Sequence, residues 1–490
     1  MRDKQPTGDR VGRVEVLGYD HIPLDQRHGT PRELGGVWAA AYIAPLYLLL
    51  GGILMVLGLN LWQAFLALVV GNLAYTLVAV IGTAGPRAGT PTITISRAQY
   101  GPRGNLLSAF FAWFNLVAFE ALNFTVGAAA LVLLLDYAGV GASTAVQGAT
   151  LAVVIGGSFT LAYFGHATIV RFQKLATAIL ACGAFLLFVF VLDDIRWDYS
   201  PNVPLAGFSG VAVWFVALGV VISGSISWCT VPADYTRYLP PRTNPRAIVF
   251  WTTLGGFVPA VFLGMIAVFA GTAVDMSDPF AGIKEVVPGW FYVPILLVLL
   301  VGSISNNVLT IYSSSMSLQT MGLPIKRYQG VFIDGVIGSA MALYATFATD
   351  FLTALTEFLQ LAVIWYAAYT AIFIADIVIR RNDYDGRQLH AGAGGRYWGR
   401  NGVHWPGITA LGLAMTAGLL FANTTRFQGP LSESLSGIDL SYVVSFIVAG
   451  AAYWVLARQR GEAVSSSRPG APDAAATAVD TPDEQQKEPQ

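Results

Sequence analysis

Long apolar segments are the feature that most constrains the fold of this 490-residue chain. They recur from about residue 35 to residue 457, and each is long enough to cross a hydrocarbon core about 30 Å thick as an α-helix. Only 12% of the residues are charged, about half the share in soluble globular proteins. The chain is therefore predicted to be a multi-span membrane protein rather than a soluble enzyme.

Turn and charge signals divide the apolar sequence into about twelve transmembrane helices. We therefore predict an all-α integral membrane protein. The predicted spans are residues 35–59, 62–85, 105–135, 145–164, 168–192, 208–230, 246–271, 290–316, 329–348, 351–379, 406–423 and 439–457.

The distribution of Lys and Arg predicts the orientation. With the N-terminus in the cytoplasm, 25 of the 28 basic residues fall in cytoplasmic segments. Only Arg196, Lys284 and Arg426 fall outside. Because basic residues accumulate on the cytoplasmic side of membrane proteins, we expect a multi-pass protein of the plasma (inner) membrane with both termini in the cytoplasm.

The two ends of the chain differ from its apolar middle. Residues 1–33 are predicted to be a cytoplasmic N-terminal segment and 34–457 the transmembrane transporter domain. Residues 458–490 contain no aromatic residue, so we expect a disordered cytoplasmic tail.

The 28 basic and 29 acidic residues balance, which argues against nucleic acid as a partner. The two cysteines lie within predicted spans, and we expect no structural metal, no cofactor and no obligate protein partner.

Two spans contain residues that break helices. The first has Pro45 followed by Gly51 and Gly52, and the sixth is rich in Gly and Ser between Gly219 and Ser227. A broken helix inside a membrane is tolerated where it lines a protein-buried cavity. The five-span separation matches an inverted repeat in which a discontinuous helix leads each half. The alternative is that small residues simply allow close helix packing.

The eighth span carries a polar stretch in the middle of an apolar run. It contains Ser303, Ser305, the adjacent pair Asn306 and Asn307, and Thr310. Each buried amide needs several hydrogen-bond partners. Such a stripe fits a substrate and cation site beside broken helices. Interhelical hydrogen bonds, worth about 0.6 kcal/mol each, are the alternative.

The third span combines an aromatic ring, an amide and an acid. Phe119 and Asn123 are four residues apart and share one helical face, and Trp228 at the end of span 6 offers a second ring. Two rings and an amide suit a flat heterocycle, which stacks through its face and bonds through its edge. Phe119 alone would more often be packing. Glu120 is harder to dismiss, because a carboxylate near the bilayer centre costs several kcal/mol unless it is protonated, paired or hydrated.

Three motifs resemble those of a known family. The run ADYTRYLP at residues 233–240 resembles the signature of the purine-cytosine permease branch of the nucleobase:cation symporters. Residues 94–97 with 100–105 resemble the family's inner loop, and Asn306-Asn307 with residues 311–313 resembles its span-8 motif. The resemblance implies a ten-helix (5+5) inverted-repeat core with discontinuous helices 1 and 6, two peripheral helices, and alternating access.

The resemblance also implies roles for individual residues. Phe119 would stack on the base, Asn123 would bond to it, and Trp228 and the span-8 amides would complete the site. Three positions depart from the family pattern: the span-1 motif is Ala39-Ala40-Ala41, the span-8 Pro-Asn is Leu309-Thr310, and a span-5 Glu of fungal members is Gln173. These departures leave the substrate open.

The expected function is secondary active import of a nucleobase of the cytosine or purine class by cation symport. Another heterocycle such as allantoin, a hydantoin or a thiamine precursor is the alternative, and a channel or a non-transporting receptor is the alternative of a different class. The predicted substrate-binding residues are Phe119, Asn123, Ser227, Trp228, Asn306, Asn307 and Thr310. For the coupling ion we expect Na⁺ near Ala39, Ala41, Ser305 and Asn306, or H⁺ carried by Glu120.

Overall fold

A computed structural model describes residues 11–15, 18–201, 207–276, 278–348 and 351–459. Over these residues the protein is helical, and its only β-type pairings are two isolated bridges. Ten helices are long and apolar enough to cross a membrane, and one bent helix pair makes an eleventh span. The predicted eleventh span, residues 406–423, is a shorter apolar helix. The all-α membrane fold is thus confirmed, while the prediction of a disordered tail lies almost entirely outside the described residues.

The helices are numbered along the chain. The first half contains α1 (Pro31–Tyr42), α2 (Pro45–Val56), α3 (Leu61–Leu73), α4 (Tyr75–Gly82), α5 (Gly85–Ala88), α6 (Thr92–Ile95), α7 (Arg97–Tyr100), α8 (Asn105–Tyr137), α9 (Thr144–Phe164) and α10 (His166–Val191). The second half contains α11 (Gly207–Ile226), α12 (Pro232–Thr236), α13 (Pro245–Ala270), α14 (Pro279–Val286), α15 (Gly289–Thr320), α16 (Arg327–Phe347), α17 (Phe351–Ile379), α18 (Trp405–Leu420), α19 (Pro430–Ser434) and α20 (Ser441–Gln459).

The first span is broken where the sequence predicts it. Helices α1 and α2 meet at an angle of 57°, with Ile43 and Ala44 between them. Pro45 is the first residue of α2, a position where its missing N–H costs nothing. The break leaves backbone groups of α1 available to side chains of other helices, here on α15.

The sixth span changes conformation later than its Gly and Ser residues suggest. The α-helix continues through Gly219 and ends at Ile226, and a 3₁₀ turn then runs from Ser227 to Thr230 before α12 begins. A Cβ on Gly219 would lie 2.9 Å from the Tyr442 ring, and one on Gly51 would lie 2.3 Å from the Gly264 carbonyl. Close packing therefore explains these two glycines, and the break itself falls at residues 227–231.

The helices form two groups that meet along α1 and α15. In one group α13 packs against α1, α2, α3 and α4, and in the other α8 packs against α9, α15 and α16. Helix α10 contacts members of both groups, and α18 and α20 pack against α17 at the periphery. This arrangement places both breaks, 43–44 and 227–231, beside the polar stretch of α15.

Candidate functional site

A small buried cavity lies where the two breaks meet α8 and α15. Each of the four elements contributes two lining residues. The lining consists of Leu46, Tyr47, Leu116, Phe119, Ser227, Trp228, Asn306 and Thr310. Five of the seven predicted substrate-binding residues therefore line one cavity, and the other two, Asn123 and Asn307, lie beside it in the hydrogen-bond network.

Aromatic rings form one wall of this cavity. The Trp228 Nε1 atom donates to the Tyr47 hydroxyl at 3.3 Å, and the Tyr47 ring stacks on Tyr42 with centroids 4.5 Å apart. On α8, the Phe119 ring packs edge-on against Phe358 at 5.2 Å. Trp228 and Phe119 thus come from different elements and border the same space, which is what stacking on a planar ligand requires.

The span-8 amides connect the cavity to α1 and α8. Asn123 Nδ2 donates to Asn306 Oδ1 at 3.0 Å, and Asn306 Nδ2 donates to the Ala41 carbonyl at 2.7 Å. Asn307 Nδ2 donates to the Glu120 carbonyl at 3.1 Å. The Asn123 Oδ1 atom is buried and has no hydrogen-bond partner among the described residues. One amide oxygen next to the cavity therefore remains available as an acceptor.

The oxygens predicted to hold a cation are distributed differently from the expectation. The Ala39 carbonyl accepts the helical bond from Ile43 at 2.9 Å, so it is the Ala40 carbonyl that lies near Ser305, 3.4 Å from its Oγ. Ser305 Oγ donates to Gln173 Oε1 at 2.6 Å, and Gln173 Nε2 donates to the Ser305 carbonyl at 2.8 Å. Gln173 therefore belongs to this group of oxygens, which contains no carboxylate.

Glu120 points away from the cavity, into the interface of α8, α15 and α16. Its Oε1 accepts from Ser314 Oγ at 2.7 Å, and the same hydroxyl lies 2.9 Å from Asp334 Oδ2. Trp113 Nε1 donates to the other Asp334 oxygen at 2.6 Å. Neither acid has an ion-pair partner among the residues that the structure describes. Asp334, which hydropathy places near a membrane interface, is completely buried.

The Ser314 hydroxyl cannot satisfy both of the acids beside it. The Ser314 hydroxyl has one hydrogen, yet it lies within hydrogen-bond distance of Glu120 Oε1, Asp334 Oδ2 and the Ile311 carbonyl. It can donate to only one of them, so a second favourable contact needs a hydrogen on a carboxyl group. At least one of the two acids must therefore be protonated for this arrangement to be stable.

A wider vestibule, lined by both apolar and charged residues, lies on the side of the N-terminal segment. Its residues include Glu33, Arg171, Lys174 and Tyr235. The Tyr235 ring lies 5.6 Å from Trp38, which in turn lies 5.4 Å from Trp228 at the cavity. Trp38 is fully buried, and the three rings are packed between the vestibule and the cavity.

Comparison with known proteins adds a family to this geometry. The profile of the permeases for cytosine/purines, uracil, thiamine and allantoin matches residues 21–445, which is most of the chain. The chain belongs to this permease family. It is a membrane transporter, and the family resemblance noted from the three motifs is confirmed.

Individual relatives are distant but match over nearly their whole length. YxlA of Bacillus subtilis, named as a purine-cytosine permease, is 26% identical over 91% of this chain and 97% of its own. The purine-cytosine permease fcyB of Emericella nidulans is 22% identical, covering 90% and 88%. The solved structure of Mhp1, a nucleobase-cation-symport-1 transporter in a closed conformation with bromovinylhydantoin bound, has a TM-score of 0.75 at 18% identity, covering 91% and 96%. The last likeness establishes a shared fold.

Within this permease fold, the structure adds residues that sequence reasoning missed. Tyr47 and Leu46 directly follow the Pro45 break, so the break itself was a usable signal for them. Leu116 is one helical turn before Phe119 and shares its face. Gln173, which the sequence showed only as a departure from the family pattern, bonds to Ser305 on α15 across 132 residues of chain. Asp334 accepts from Trp113 on α8 across 221 residues, so neither residue gave a local signal for its role.

Proposed function

We propose that this permease imports a nucleobase or a related small heterocycle by cation symport and that the cavity between the two helix breaks is its substrate site. The observation that carries the proposal is the cavity lining itself. Three aromatic rings, Tyr47, Phe119 and Trp228, come from different elements and share the cavity with the Asn306 amide and the Thr310 hydroxyl. The free volume of the cavity is only about 10 Å³, room for about one water molecule. The surrounding helices must therefore move apart to admit a single or a fused ring.

The amides supply the edge recognition that a nucleobase needs. Asn123 Oδ1 has no partner among the described residues, and Asn306 and Asn307 hold α8 and α15 in register around it. An amide offers donor and acceptor together, which matches rings that combine N–H with C=O or ring nitrogen. The permease names of YxlA and fcyB support the cytosine and purine class as the first substrates to test.

Substrate identity is tested by thermal shift and by counterflow in proteoliposomes. The panel contains cytosine, adenine, guanine, hypoxanthine, uracil, allantoin, hydantoins and thiamine precursors. A compound that binds is detected because it raises the unfolding temperature.

Trp228→Ala is expected to weaken binding by about 1–3 kcal/mol, the worth of base–aromatic stacking. Trp62→Ala, which changes a ring that is 76% exposed, is the matched control. Equal affinities of the two variants would remove Trp228 from the site, and failure to take up any compound of the panel would contradict the nucleobase and related heterocycle class.

Two coupling routes have structural support. The first is Na⁺ bound by Ser305 Oγ, Gln173 Oε1 and the Ala40 carbonyl, with Asn306 and the Ala41 carbonyl beside them. Such a site lacks a carboxylate, so it would bind Na⁺ weakly and gain from the membrane potential. The second is H⁺ carried by Glu120 together with Asp334. The first is our leading proposal, because its oxygens adjoin the α1 break.

The two routes predict different transport data. Under the first route, uptake rises with external Na⁺ at constant pH, and Ser305→Ala and Gln173→Ala both reduce that rise. Under the second, uptake follows an imposed pH gradient without Na⁺ and is lost in Glu120→Gln.

We place both termini in the cytoplasm of a plasma-membrane protein, since Lys and Arg concentrate on that side. A protease that cleaves terminal tags in right-side-out vesicles would contradict this orientation.

A further inference from the structure

The described part of the N-terminal segment, residues 11–15 and 18–30, is packed against the membrane domain. The backbone N–H of Glu15 donates to the Phe164 carbonyl at 2.9 Å, and that of Ile22 donates to the Gly89 carbonyl at 2.8 Å. Between them, Tyr19 N–H donates to the Gln319 side chain at 3.1 Å. This segment therefore contacts three separate elements of the domain before α1 begins.

Glu15 is the residue by which the segment enters a buried cluster of donors. Its side chain is 4% exposed. Two hydroxyls donate to Glu15 Oε1, from Tyr238 at 2.5 Å and Tyr312 at 3.2 Å, and the backbone N–H of His166 donates to Oε2 at 2.9 Å. The Glu15 carboxylate therefore accepts hydrogen bonds from all three of these groups.

Two arginines complete this cluster. Arg237 Nη2 lies 3.5 Å from Glu15 Oε1, and Arg327 Nε lies 3.9 Å from Oε2. Both guanidinium side chains are 0% exposed, and a buried charge needs a counter-charge. Glu15 is the carboxylate that forms an ion pair with each of them among the described residues.

The backbone leaves room for this carboxylate. Gly165 has φ +97°, and a Cβ there would lie 2.4 Å from Glu15 Oε2. Any other residue at this position would occupy the space that the carboxylate fills. The space for the carboxylate is therefore built into the backbone just before α10.

We propose that Arg237, Arg327, Tyr238, Tyr312 and the His166 N–H form a carboxylate-binding site whose ligand is Glu15 of the same chain, and that its occupancy holds the N-terminal side of the permease closed. The site joins the two helix groups. Arg237 follows α12, which contacts α1 and α4, whereas Arg327 begins α16 and Tyr312 lies on α15. Separation of the groups at this end must break at least one of the Glu15 contacts.

The site also borders the route to the substrate cavity. Tyr238 and His166 both line the vestibule, together with Val11 of the same N-terminal segment. The His166 ring stacks on Tyr238 with centroids 3.8 Å apart. Release of Glu15 frees Tyr238 and the segment at once, and the vestibule widens toward Val37, a buried lining residue of α1.

The test is the labelling rate of a cysteine at Val37 by a small maleimide in the purified full-length protein. Val37→Cys is introduced with Cys182→Ser, which removes the exposed native thiol, and the same protein without Val37→Cys gives the baseline from buried Cys229. Glu15→Gln should raise the labelling rate about tenfold or more, because hydrogen bonds to a charged group are lost. Asp25→Asn, an exposed acid in the same segment, is the matched control and should leave the rate unchanged.

Chemical rescue tests whether the site binds a carboxylate. In Glu15→Ala, added formate should slow labelling toward the parent rate, and formamide of similar shape should not. Gel filtration and a substrate-independent unfolding temperature establish that each variant is folded, and Glu15→Asp, which keeps the charge on a shorter side chain, gives an intermediate rate. Parent-like labelling of folded Glu15→Gln, or equal effects of formate and formamide, would overturn the proposal. None of these measurements depends on the transported substrate.

Discussion

Two buried glutamates in this permease are stabilised in opposite ways. Glu15, at the N-terminal side, is surrounded by two guanidinium groups, two phenol hydroxyls and a backbone N–H. Glu120, inside the helix bundle, faces Ser314 and a second acid, Asp334. The side chains are similarly buried, so burial alone does not determine which form of the acid is present.

The hydrogen-bond partners of a buried acid decide whether it is protonated or ionised. Around Glu15 every neighbour is a donor or a cation, so the ionised form is the one that satisfies them. Around Glu120 the one donor is the Ser314 hydroxyl, which also contacts Asp334. Because Trp113 already donates to Asp334, we expect the proton on Glu120, where it takes the place of the missing cation. Glu15 therefore acts as a negative charge that joins separate elements, whereas Glu120 carries a proton.

The largest effect is expected from removing the charge at the N-terminal side. Glu15→Ala leaves Arg237 and Arg327 buried without their counter-ion, and breaking a buried pair in this way costs about 3–5 kcal/mol. Denaturant unfolding in detergent measures the change, with Asp25→Asn as the reference. A loss below that of an exposed acid would mean that the two arginines are hydrated and the contrast with Glu120 is false.

A smaller loss in the free energy of unfolding is expected when the hydroxyl between Glu120 and Asp334 is removed. Ser314→Ala leaves a buried carboxyl oxygen without a partner, which costs about 1–3 kcal/mol. Ser315→Ala is a matched control, since the Ser315 hydroxyl donates to the Tyr312 carbonyl within its own helix. Equal losses for the two serines would show that the bridge between Glu120 and Asp334 adds nothing beyond a local helix bond.

Asp234 tests whether an arginine nearby is enough to keep an acid ionised. It lies outside the spans, and burial raises its pKa from 3.8 to about 7, although hydrogen bonds and Arg237 act in the opposite direction. Between these two values the folded protein keeps a proton that the unfolded chain has released. The free energy of unfolding therefore falls as the pH rises through this window, by up to about 1.4 kcal/mol per pH unit, and is level above it.

The measurement is the unfolding free energy of wild type and Asp234→Asn at a series of pH values from acid to neutral. The Asn side chain does not titrate, so the variant should lack this part of the slope. Identical pH profiles for the two proteins would place Asp234 with the ionised acids such as Glu15 instead.

The smallest stability change is expected at Glu120 itself. Glu120→Gln replaces a protonated carboxyl with an amide that also donates and accepts, so the loss should stay below about 1 kcal/mol. Infrared difference spectra sharpen the comparison: the Glu120→Gln spectrum should lack a protonated carboxyl C=O band, whereas Glu15→Gln should lack carboxylate bands. A carboxylate band missing from the Glu120→Gln spectrum would show that both glutamates are charged.

The sequence by itself determined the membrane helices and the place of the first break. Hydropathy and helix breaking are properties of a short segment, because each apolar run must satisfy its own backbone in lipid and Pro45 lacks its N–H wherever it stands. The helix period likewise put Phe119 and Asn123 on one face, and the ADYTRYLP run indicated the family that the profile match confirmed. The assignment of Phe119, Trp228 and the span-8 amides to substrate binding stays a prediction until ligand binding is measured.

Which polar groups come into contact depends on how the helices pack against one another. Asp334 looked interfacial because local hydropathy does not show that α16 crosses α8 beside Ser314 and Trp113. Gln173 joined Ser305 and Glu15 joined Arg327 across 132 and more than 300 residues of chain. A buried charge or amide is stabilised by whichever partner the helix packing brings within about 3 Å, and that partner is fixed by how whole helices cross, which no single segment encodes.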